Sequence, residues 1–417
     1  MENPKTIWLI NKDSAPIEEY GTHLRTFKQA QYFQSKGFEV KILCSSIVHN
    51  TNIDHLEGIN GFFNEEIHNG IPFVFIKSLK YGNNGVKRIL AYITFSFNVF
   101  RLKSKVKKPN IIIHTSRIPF DILIYFFAKR IKSKYILDIT DLWPLEFEHF
   151  GYLSSKNIIL KAFYWIEKKL YAKADFTVFS MEGCYYYIKE KKWDKGNGGI
   201  IDLNKIHYIN NGIDLQEFEQ NLAEYSINDI DLNNENTFKI IYLGSIRLAN
   251  NVSQIIEVAK KLQQYNDIQF LIYGDGTERE SLELRCKEEG INNVVFKDKW
   301  IEPKYVPYVL SKAAINILNY GSGWAKYGGS MNKMFMSFAS GKPIVCNAGM
   351  NYSLITKNNL GIDKEFESIE EYSNAILNIY NLDKNDYQLL CKRVKETSLE
   401  FDLFKLSERF SKLCKIE

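Results

Sequence analysis

The sequence lacks several features that would place it in a familiar class. Its six cysteines are scattered, with no Cys-x-x-Cys pair and no His/Cys cluster of metal-binding spacing. This favours buried, reduced thiols in a cytosolic protein over a disulfide scaffold or a zinc site. No apolar run reaches the roughly 18 residues of a membrane-spanning helix, and the N-terminus predicts no signal peptide. A net charge of +5 is too small to indicate nucleic-acid binding.

Acidic residues are absent from two long segments, 77–110 and 303–362. The first of these carries nine Lys and Arg residues around the apolar stretch Ile89–Phe100. An apolar helix flanked by Lys and Arg is typical of a segment that lies on a membrane surface, whereas a core helix with solvated ends is the alternative. We therefore predict a membrane contact here. The basic residues assigned to it are Lys87, Arg88 and Arg101.

What the chain does contain is a long alternation of apolar strands and amphipathic helices. The pattern begins with a buried strand at Thr6–Asn11 and restarts at Phe238–Leu243, after the polar stretch Glu219–Thr237. It predicts an α/β protein with two Rossmann-like, doubly wound parallel-sheet domains that face a cleft, where ligands bind at the carboxyl ends of the strands. The predicted divisions are a first domain at 1–218, a second at 219–400, and a C-terminal helix at 401–417 that could pack back on the first domain.

The second half holds turns and helix starts that suit a phosphate. Gly244-Ser245 follows a strand, and such turns, like helix N-termini, present backbone N–H groups to anions. Arg247 could add a fixed positive charge. Ser330 stands at the N-cap position of a helix, with Lys326 and Lys333 on either side. Each feature alone is equally explained by an ordinary turn, cap or solvated helix face, so their order and spacing together carry the functional interpretation.

Two further motifs are weaker signals. Gly274-Asp275-Gly276 lacks the third glycine of a dinucleotide fingerprint, because Arg279 occupies that position. Asp229-Ile230-Asp231 has the Asp-x-Asp spacing that some transferases use to hold a metal ion, but it lies in the polar stretch rather than at a strand end. We therefore predict no metal and no cofactor apart from a co-substrate.

These landmarks together resemble the donor-binding domain of the family 4 glycosyltransferases, which have the B-type (GT-B) fold. The segments that carry the resemblance are Tyr-Leu-Gly-Ser at 242–245, Tyr-Gly-Asp-Gly at 273–276, Lys299-Trp300-Ile301 and Asn332–Ile344. In the first half, Ile17–Gly21 and Asn210–Asp214 are similar to family segments, and Asp138–Pro144 resembles the Asp-Leu-Trp-Pro segment of a bacterial subgroup that builds O-antigen and capsule sugars.

The resemblance implies a retaining, metal-independent transferase of the hexosyl or N-acetylhexosaminyl type. It would use a nucleotide diphosphate sugar, with UDP as the expected nucleotide. The implied donor-binding residues are Gly21, Gly244, Ser245, Arg247, Gly274, Trp300, Lys326, Ser330, Asn332 and Lys333.

One departure from the family concerns its two glutamates, which lie beside the sugar and on the ribose. The aligned positions here are Gly328 and Met336, so neither is acidic. This change is compatible with a different sugar, another ribose contact or lost activity. The Ser-x-Asn-Lys segment at 330–333 matches the variant of the Asp-Leu-Trp-Pro subgroup, which favours a variant donor.

The first half is expected to bind the acceptor. His114, Ser116 and Arg117 follow a strand end, and Asp141 follows the next one. Asp141 could orient or deprotonate an acceptor hydroxyl, or it could cap a turn. His114 could act near the sugar, but a lone His at a strand end is often a structural hydrogen-bonder. We assign His114, Ser116 and Asp141 as catalytic candidates and Arg117 as an acceptor contact.

The sequence thus predicts a cytoplasmic enzyme on the inner face of the cell membrane. It would move a sugar from a nucleotide sugar to a lipid-linked saccharide in surface polysaccharide (O-antigen or capsule) synthesis. A non-catalytic GT-B-like subunit and a nucleotide-sugar 2-epimerase remain alternatives. A dinucleotide oxidoreductase is a further rival, but the turn after the first strand has only one glycine.

Overall fold

The computed structural model describes residues 4–16, 24–48, 51, 53–81, 85–102, 105–149, 151–321 and 326–416. The chain divides into two compact units, Met1–Asn210 together with Leu406–Glu417, and Asn211–Lys405. The division predicted after residue 218 falls inside the helix Leu215–Glu224, which the second unit keeps whole. None of the six cysteines is paired, and five of them are buried.

The first unit is built on an eight-stranded sheet in the order β3-β4-β2-β1-β5-β6-β7-β8. Its strands are β1 (Thr6–Ile10), β2 (Glu39–Ser45), β3 (Phe63–His68), β4 (Ile71–Ile76), β5 (Ile111–Thr115), β6 (Lys134–Ile139), β7 (Phe176–Phe179) and β8 (Ile206–Tyr208). Its helices are α1 (Leu24–Ser35), α2 (Val86–Arg101), α3 (Leu123–Arg130), α4 (Trp143–His149), α5 (Ile158–Lys173) and α6 (Cys184–Glu190), with most of the C-terminal helix.

Helices cover both faces of this sheet because β1 is apolar on both. Ile7 and Leu9 of β1 belong to a buried cluster with α1 and with Phe410 of the C-terminal helix. On the opposite face, Trp8 stacks on Phe127 of α3 at a ring distance of 5.8 Å. Such two-sided burial is what a continuous apolar run in a parallel strand predicts.

Strand β3 departs from the parallel pattern that the sequence predicts. It pairs antiparallel with β4, and the two are joined by the two-residue turn Asn69-Gly70, whose φ angles are 48° and 76°. Asn-Gly is the sequence that best adopts two successive left-handed residues in a hairpin. The strand escapes a search for apolar runs because four of its six residues, Asn64, Glu65, Glu66 and His68, are polar.

The second unit is built on a six-stranded parallel sheet in the order β11-β10-β9-β12-β13-β14. Its strands are β9 (Phe238–Leu243), β10 (Ile268–Tyr273), β11 (Val294–Phe296), β12 (Ile315–Leu318), β13 (Ile344–Cys346) and β14 (Gly361–Asp363). Its helices are α7 (Leu215–Glu224), α8 (Val252–Lys261), α9 (Arg279–Glu288), α10 (Val306–Ser311), α11 (Asn332–Ser340), α12 (Leu354–Lys357), α13 (Ile369–Tyr380) and α14 (Lys384–Ser398). The C-terminal helix is α15 (Leu403–Leu413).

The second unit holds its first and last segments together. The N–H of Ile213 donates to the carbonyl of Phe401 at 3.0 Å, and the N–H of Leu403 donates to the carbonyl of Ile213 at 3.0 Å. Strands β9 and β12 lie side by side at the centre of the sheet, where the winding of the chain reverses. In doubly wound sheets, ligands bind outside the carboxyl ends of the strands at this reversal.

Candidate functional site

Two glycine turns lie back to back at the carboxyl ends of β9 and β10. A Cβ on Gly274, whose φ is 124°, would lie 1.9 Å from the carbonyl oxygen of Gly244. A Cβ on Gly276 would lie 2.1 Å from the carbonyl oxygen of Ile246. The glycines are therefore required for the close approach of two backbone segments, and they continue the β9–β10 pairing into the loops.

This pairing corrects one expectation. The sequence predicts a free N–H at Gly244, but that group donates to the carbonyl of Tyr273 at 3.0 Å. Ser245 is also engaged, because its carbonyl accepts from the Tyr242 hydroxyl at 2.7 Å and its hydroxyl accepts from Asn250 Nδ2 at 2.8 Å. The first turn is thus rigid and leaves space above Gly244, but the N–H of Gly244 is already used within the fold and does not serve as a donor to a phosphate.

The space above Gly244 is filled by Lys333. A Cβ on Gly244 would lie 1.9 Å from Lys333 Nζ, which is also 5.4 Å from the centre of the Tyr242 ring. Burial lowers the pKa of Lys333 to about 8. No described carboxylate forms an ion pair with this ammonium. A half-buried cation without a counter-charge is stabilised by any anion that reaches it, so Lys333 is a candidate anion contact.

Lys333 stands in the first turn of α11, which has no side-chain cap. The N-cap residue is Met331, and the prediction that Ser330 caps this helix is wrong. Ser330 instead accepts the N–H of Asn211 on its hydroxyl at 2.6 Å and the side-chain amide of Asn211 on its carbonyl at 2.7 Å. An uncapped helix N-terminus beside an ammonium group favours a phosphate at this end of α11.

The structure gives little support for a donor-binding role of the remaining predicted residues. Arg247 is exposed, just before the 3₁₀ turn Leu248–Asn250. Lys326 and Asn332 are exposed, and Trp300 is 71% exposed. The structure therefore brings Gly244, Gly274 and Lys333 together and leaves these four side chains on the surface. Gly21 lies outside the described residues.

The positions of the two missing glutamates differ in character. Met336 is half-buried on α11 and lines a small cavity with Leu243 and Leu310. Gly328 has a φ of 90°, which side chains adopt only with strain. The Met336 position therefore offers an apolar side chain and no carboxylate.

A network of side-chain amides, which the sequence does not reveal, fixes the loops of this edge. Asn319 donates to the carbonyls of Asn250 and Asn251 at 3.1 and 2.7 Å. Asn347 donates to Gln254 Oε1 at 2.7 Å and accepts the N–H of Tyr320 at 2.7 Å. Three loops of the edge and the start of α8 are thereby tied together without any charged group. Only their positions at strand ends could have suggested this role.

The Asp-x-Asp motif has a structural role. Lys297 Nζ lies 2.8 Å from both carboxylate oxygens of Asp229 and 2.6 Å from Asp231 Oδ2. The polar segment predicted as a linker is thus anchored to the loop after β11. Across the described part of the chain, no group of three or more His, Cys, Asp and Glu side chains is placed to hold a metal ion.

The first unit carries a second polar cluster, at the carboxyl ends of β1, β5 and β6. Arg117 is buried; its Nη1 donates to Thr140 Oγ1 at 2.8 Å and lies 3.4 Å from Asp141 Oδ2. Its Nη2 lies 4.0 Å from Asp13 Oδ2. Burial alone lowers the pKa of Arg117, but Asp141 and the other acidic groups raise it well above its usual value. Arg117 therefore stays charged and holds the partly exposed Asp141 in place.

Lys12 and Asp13 belong to this cluster, although sequence analysis does not single them out. They form a buried ion pair of 3.2 Å, and Tyr92 of α2 donates its hydroxyl to Asp13 at 2.5 Å. Lys12 Nζ lies 4.5 Å from the centre of the Tyr92 ring. Arg88 completes the group, with its guanidinium 5.4 Å from the centre of the Trp143 ring. Arg88 thus contributes to this cluster as well as to the predicted membrane segment.

Glu146 of α4 is an acidic group of this cluster with a raised pKa. Burial and the neighbouring Asp141 raise the pKa of Glu146 to about 7, against the opposing charges of Arg117 and Arg88. Its carboxylate makes no hydrogen bond or ion pair to any residue that the structure describes. A half-buried carboxyl with a pKa near neutrality is suited to accept or return a proton from a hydroxyl.

His114 and Ser116 occupy a closed network. His114 Nδ1 lies 2.7 Å from the Tyr135 hydroxyl, and Nε2 lies 3.1 Å from Asp121 Oδ2. Ser116 donates to Asp121 Oδ1 at 2.8 Å, and all four side chains are buried. Burial raises the pKa of Asp121, but His114 and the hydrogen bonds hold it below its usual value. This geometry favours the structural alternative for His114 and Ser116.

The segment predicted to contact a membrane forms helix α2. Val86, Leu90, Ile93 and Phe97 recur along one side of it and are 73%, 42%, 40% and 53% exposed. Their spacing places them in a single stripe. Lys87 and Arg101 are exposed, and the Arg101 guanidinium lies 4.3 Å from the centre of the Phe62 ring. Among the described helices, none combines the length and apolar character that would be needed to cross a bilayer.

Comparison with known proteins finds a family match within the second unit. Residues 226–397 match the family described as glycosyl transferases group 1. A stretch of 93 residues is 31% identical to the 2-deoxystreptamine N-acetyl-D-glucosaminyltransferase of Niallia circulans, and it spans 22% of this chain and 23% of that enzyme.

Solved structures are similar in fold over 99% of this chain. The chain is similar to Alr3699/HepE of Anabaena in complex with UDP and glucose, with a TM-score of 0.67, 12% identity and 99% coverage of both chains. It is also similar to WaaG, a glycosyltransferase involved in lipopolysaccharide biosynthesis, with a TM-score of 0.66 and 13% identity over 99% of this chain and 100% of that one. Residues 226–397 are thus similar to the group 1 glycosyltransferases, and the chain shares the two-sheet GT-B fold of these solved structures.

Proposed function

We propose that this protein transfers a sugar from a nucleotide diphosphate sugar, UDP-linked, to a lipid-linked saccharide at the inner face of the cell membrane. Lys333 is the observation that carries the proposal. Its ammonium is half-buried, has no described counter-charge, and stands at the uncapped start of α11. A diphosphate is the ligand whose charge fits this place.

In this proposal the donor diphosphate is bound at the carboxyl edge of the second sheet. Negative charge builds on the diphosphate as the bond to the sugar breaks. Lys333, the N-terminal N–H groups of α11 and the exposed Arg247 would stabilise that charge. Asp229 and Asp231 are assigned no role with a metal, because both already form ion pairs with Lys297. The UDP complex of the Anabaena protein supports the choice of nucleotide.

The acceptor is assigned to the polar cluster of the first unit. Asp141 and Glu146 are its two accessible acids, and Arg117 fixes Asp141. They would orient the acceptor hydroxyl, and Glu146 could take up its proton. Retention of configuration remains part of the proposal and is testable by the stereochemistry of the product. The exposed stripe of α2 supports a membrane location, where a lipid-linked acceptor would be found.

A non-catalytic subunit is the second candidate. The replacement of two family glutamates by Gly328 and Met336 favours it, because the donor then lacks its usual carboxylate contacts. Both candidates allow nucleotide binding, so binding alone does not separate them. Release of UDP from the nucleotide sugar, with and without acceptor, distinguishes an enzyme from a binding subunit.

The test begins with a thermal-shift screen of UDP, GDP, ADP and their sugar conjugates. A ligand that binds only the folded protein raises its melting temperature, and we expect this for the UDP compounds. Lys333→Ala should lower the affinity by roughly 10- to 100-fold, the worth of one charge-assisted contact. Lys384→Ala, an exposed lysine at the start of α14, is the control. Equal affinities in the two variants would remove Lys333 from the site.

A further inference from the structure

Helix α5 has an outer face that nothing in the unit covers among the residues described. Ile158, Ile159 and Trp165 are 81%, 52% and 62% exposed, and Tyr152 in the preceding loop is 74% exposed. Ile158 and Trp165 lie two turns apart on the same side of the helix. Large side chains that cluster on a solvent-facing side indicate a binding surface rather than chance exposure.

The charges on this face have one sign. Four lysines of α5 are exposed or half-buried: Lys161, Lys168, Lys169 and Lys173. The one acid of the helix, Glu167, is buried on the opposite side, where it accepts hydrogen bonds from Tyr171 and Tyr187 at 2.7 and 2.8 Å. Lys169 Nζ lies 5.8 Å from the centre of the Trp165 ring. Apolar side chains surrounded by lysines match an anionic lipid surface, in which the lysine heads reach the phosphates.

Helix α5 also lies on the same face of the first sheet as α2. The strand register places Trp8, Tyr135 and Phe179 on one face. Trp8 stacks on Phe127 of α3, which contacts Phe100 of α2 at 6.4 Å. Phe179 contacts Tyr171 of α5 at 5.1 Å. Helices α2, α3 and α5 therefore form a single layer.

An aromatic chain joins the two helices through α4. Tyr92 of α2 contacts Trp143 of α4 at 5.5 Å, Trp143 contacts Phe147 at 6.0 Å, and Phe147 contacts Phe163 of α5 at 6.1 Å. The outer faces of α2 and α5 are thereby held in one arrangement. Glu146 is carried by the helix that joins them.

We propose that α5 is a second membrane-binding element, so that α2 and α5 seat the first unit on an anionic bilayer at two places in one helix layer. This inference rests on the membrane location given under the proposed function. Attachment at one helix leaves the unit free to rotate about that helix, whereas attachment at two removes this freedom. The acidic cluster between the two helices then stays in a fixed orientation to the lipid headgroups.

Sedimentation with lipid vesicles tests this proposal on the full chain. Vesicles of phosphatidylcholine with phosphatidylglycerol are compared with vesicles of phosphatidylcholine alone. Combining Ile158→Ser with Trp165→Ala should reduce binding to the anionic vesicles about tenfold or more, because two exposed apolar side chains no longer enter the lipid. The matched control combines Ile230→Ser with Leu284→Ser, since these residues are 87% and 55% exposed in the second unit. The control should bind like the unaltered protein.

Fluorescence quenching by brominated lipids gives a second measure. Trp165→Phe keeps an apolar side chain, so it should bind the vesicles and lose most of the quenching. Trp300→Phe removes an exposed tryptophan of the second unit and should leave the quenching intact.

A third variant separates the two membrane claims. If Leu90→Ser with Phe97→Ser abolishes vesicle binding and the α5 variant binds normally, the inference about α5 is overturned and the proposed location stands. If the unaltered protein does not bind anionic vesicles, both membrane contacts are overturned. Nucleotide binding, measured without lipid, continues to test the transferase independently.

Discussion

At the scale of single residues, Lys333 and Gly244 act as one feature. The ammonium group occupies the space that a side chain at position 244 would need. Burial lowers the pKa of Lys333 to about 8, because the free protein solvates this charge poorly. The glycine is therefore required for the position of the lysine, and not for a backbone contact with phosphate.

Gly244→Ala tests this coupling. The added Cβ would meet the far end of a flexible side chain, so we expect the protein to fold and Lys333 to be displaced. Affinity for UDP should fall about tenfold or more, as for loss of one charged contact. Gly61→Ala is the control, because its Cβ would meet only one atom, at 3.6 Å. Calorimetric titration measures the affinities, and an unchanged value in Gly244→Ala would contradict the coupling.

Glu167 gives a prediction about stability and pH. Burial raises the pKa of Glu167 to about 7, from the ordinary value of 4.5. The folded protein therefore binds a proton that the unfolded chain releases between these values, and the contribution of Glu167 to stability falls as the pH rises through this range. At full ionisation the loss amounts to about 3 kcal/mol.

Glu167→Gln should remove this dependence while it keeps one acceptor oxygen for the two tyrosine hydroxyls and replaces the other oxygen by an amide donor. Urea unfolding across this pH range measures the effect. The unaltered protein should lose stability relative to the variant as the pH rises. Parallel pH profiles for the two proteins would show that Glu167 does not titrate as described.

Some site residues are beyond the reach of sequence analysis because their partners are distant in the chain. The role of Lys12 and Asp13 in the cluster depends on Tyr92 and Arg117, which the fold brings to the same sheet edge. Ser330 fits an N-cap by local sequence, yet the chain turns it towards Asn211. In both cases local patterns identify the residue type and tertiary contacts decide its use.

At the scale of elements, the polar segment after α7 shows how a motif can mislead. The two aspartates have the spacing of a metal site, but both pair with Lys297 and fix the segment to the second unit. The Lys297 side chain is only 10% exposed, so the two carboxylates depend on it.

Lys297→Met should therefore destabilise the second unit by about 1–3 kcal/mol, because two carboxylates lose their partly buried partner. The affinity for UDP should be unchanged. Added Mn²⁺ should not alter that affinity, either in the variant or in the unaltered protein. Thermal unfolding and calorimetry measure the two quantities. The assignment fails if the unaltered protein needs Mn²⁺ to bind UDP and Asp229→Asn abolishes that need.

The strands that sequence analysis places best are those buried on both faces. The strand predicted at Phe238–Leu243 matches β9 residue for residue, because an uninterrupted apolar run between polar segments leaves few alternatives. The strands it misses, β3 and β14, are short or polar, and each lies at a sheet edge. Edge strands have only one neighbour, so their sequences carry less of the apolar signal.

At the scale of the whole molecule, alternation of strands and helices predicts two doubly wound sheets, and the structure contains them. The division of the chain is less visible in the sequence. The second unit takes in α7 and the polar segment, and α15 returns to the first unit through Leu406 and Phe410. Hydrogen bonds between Ile213 and the 401–403 segment direct α15 back to the first unit. No local sequence pattern predicts these hydrogen bonds.

Calorimetric titration with UDP below and above pH 8 decides whether the second unit binds a nucleotide diphosphate through Lys333. Because the pKa of Lys333 is about 8 in the free protein, affinity should be high below this pH, decline above it, and be accompanied by proton uptake near it. Lys333→Ala should show weak binding at every pH and no such uptake. Tight binding of UDP that is independent of pH, and equal in the variant, would contradict the account.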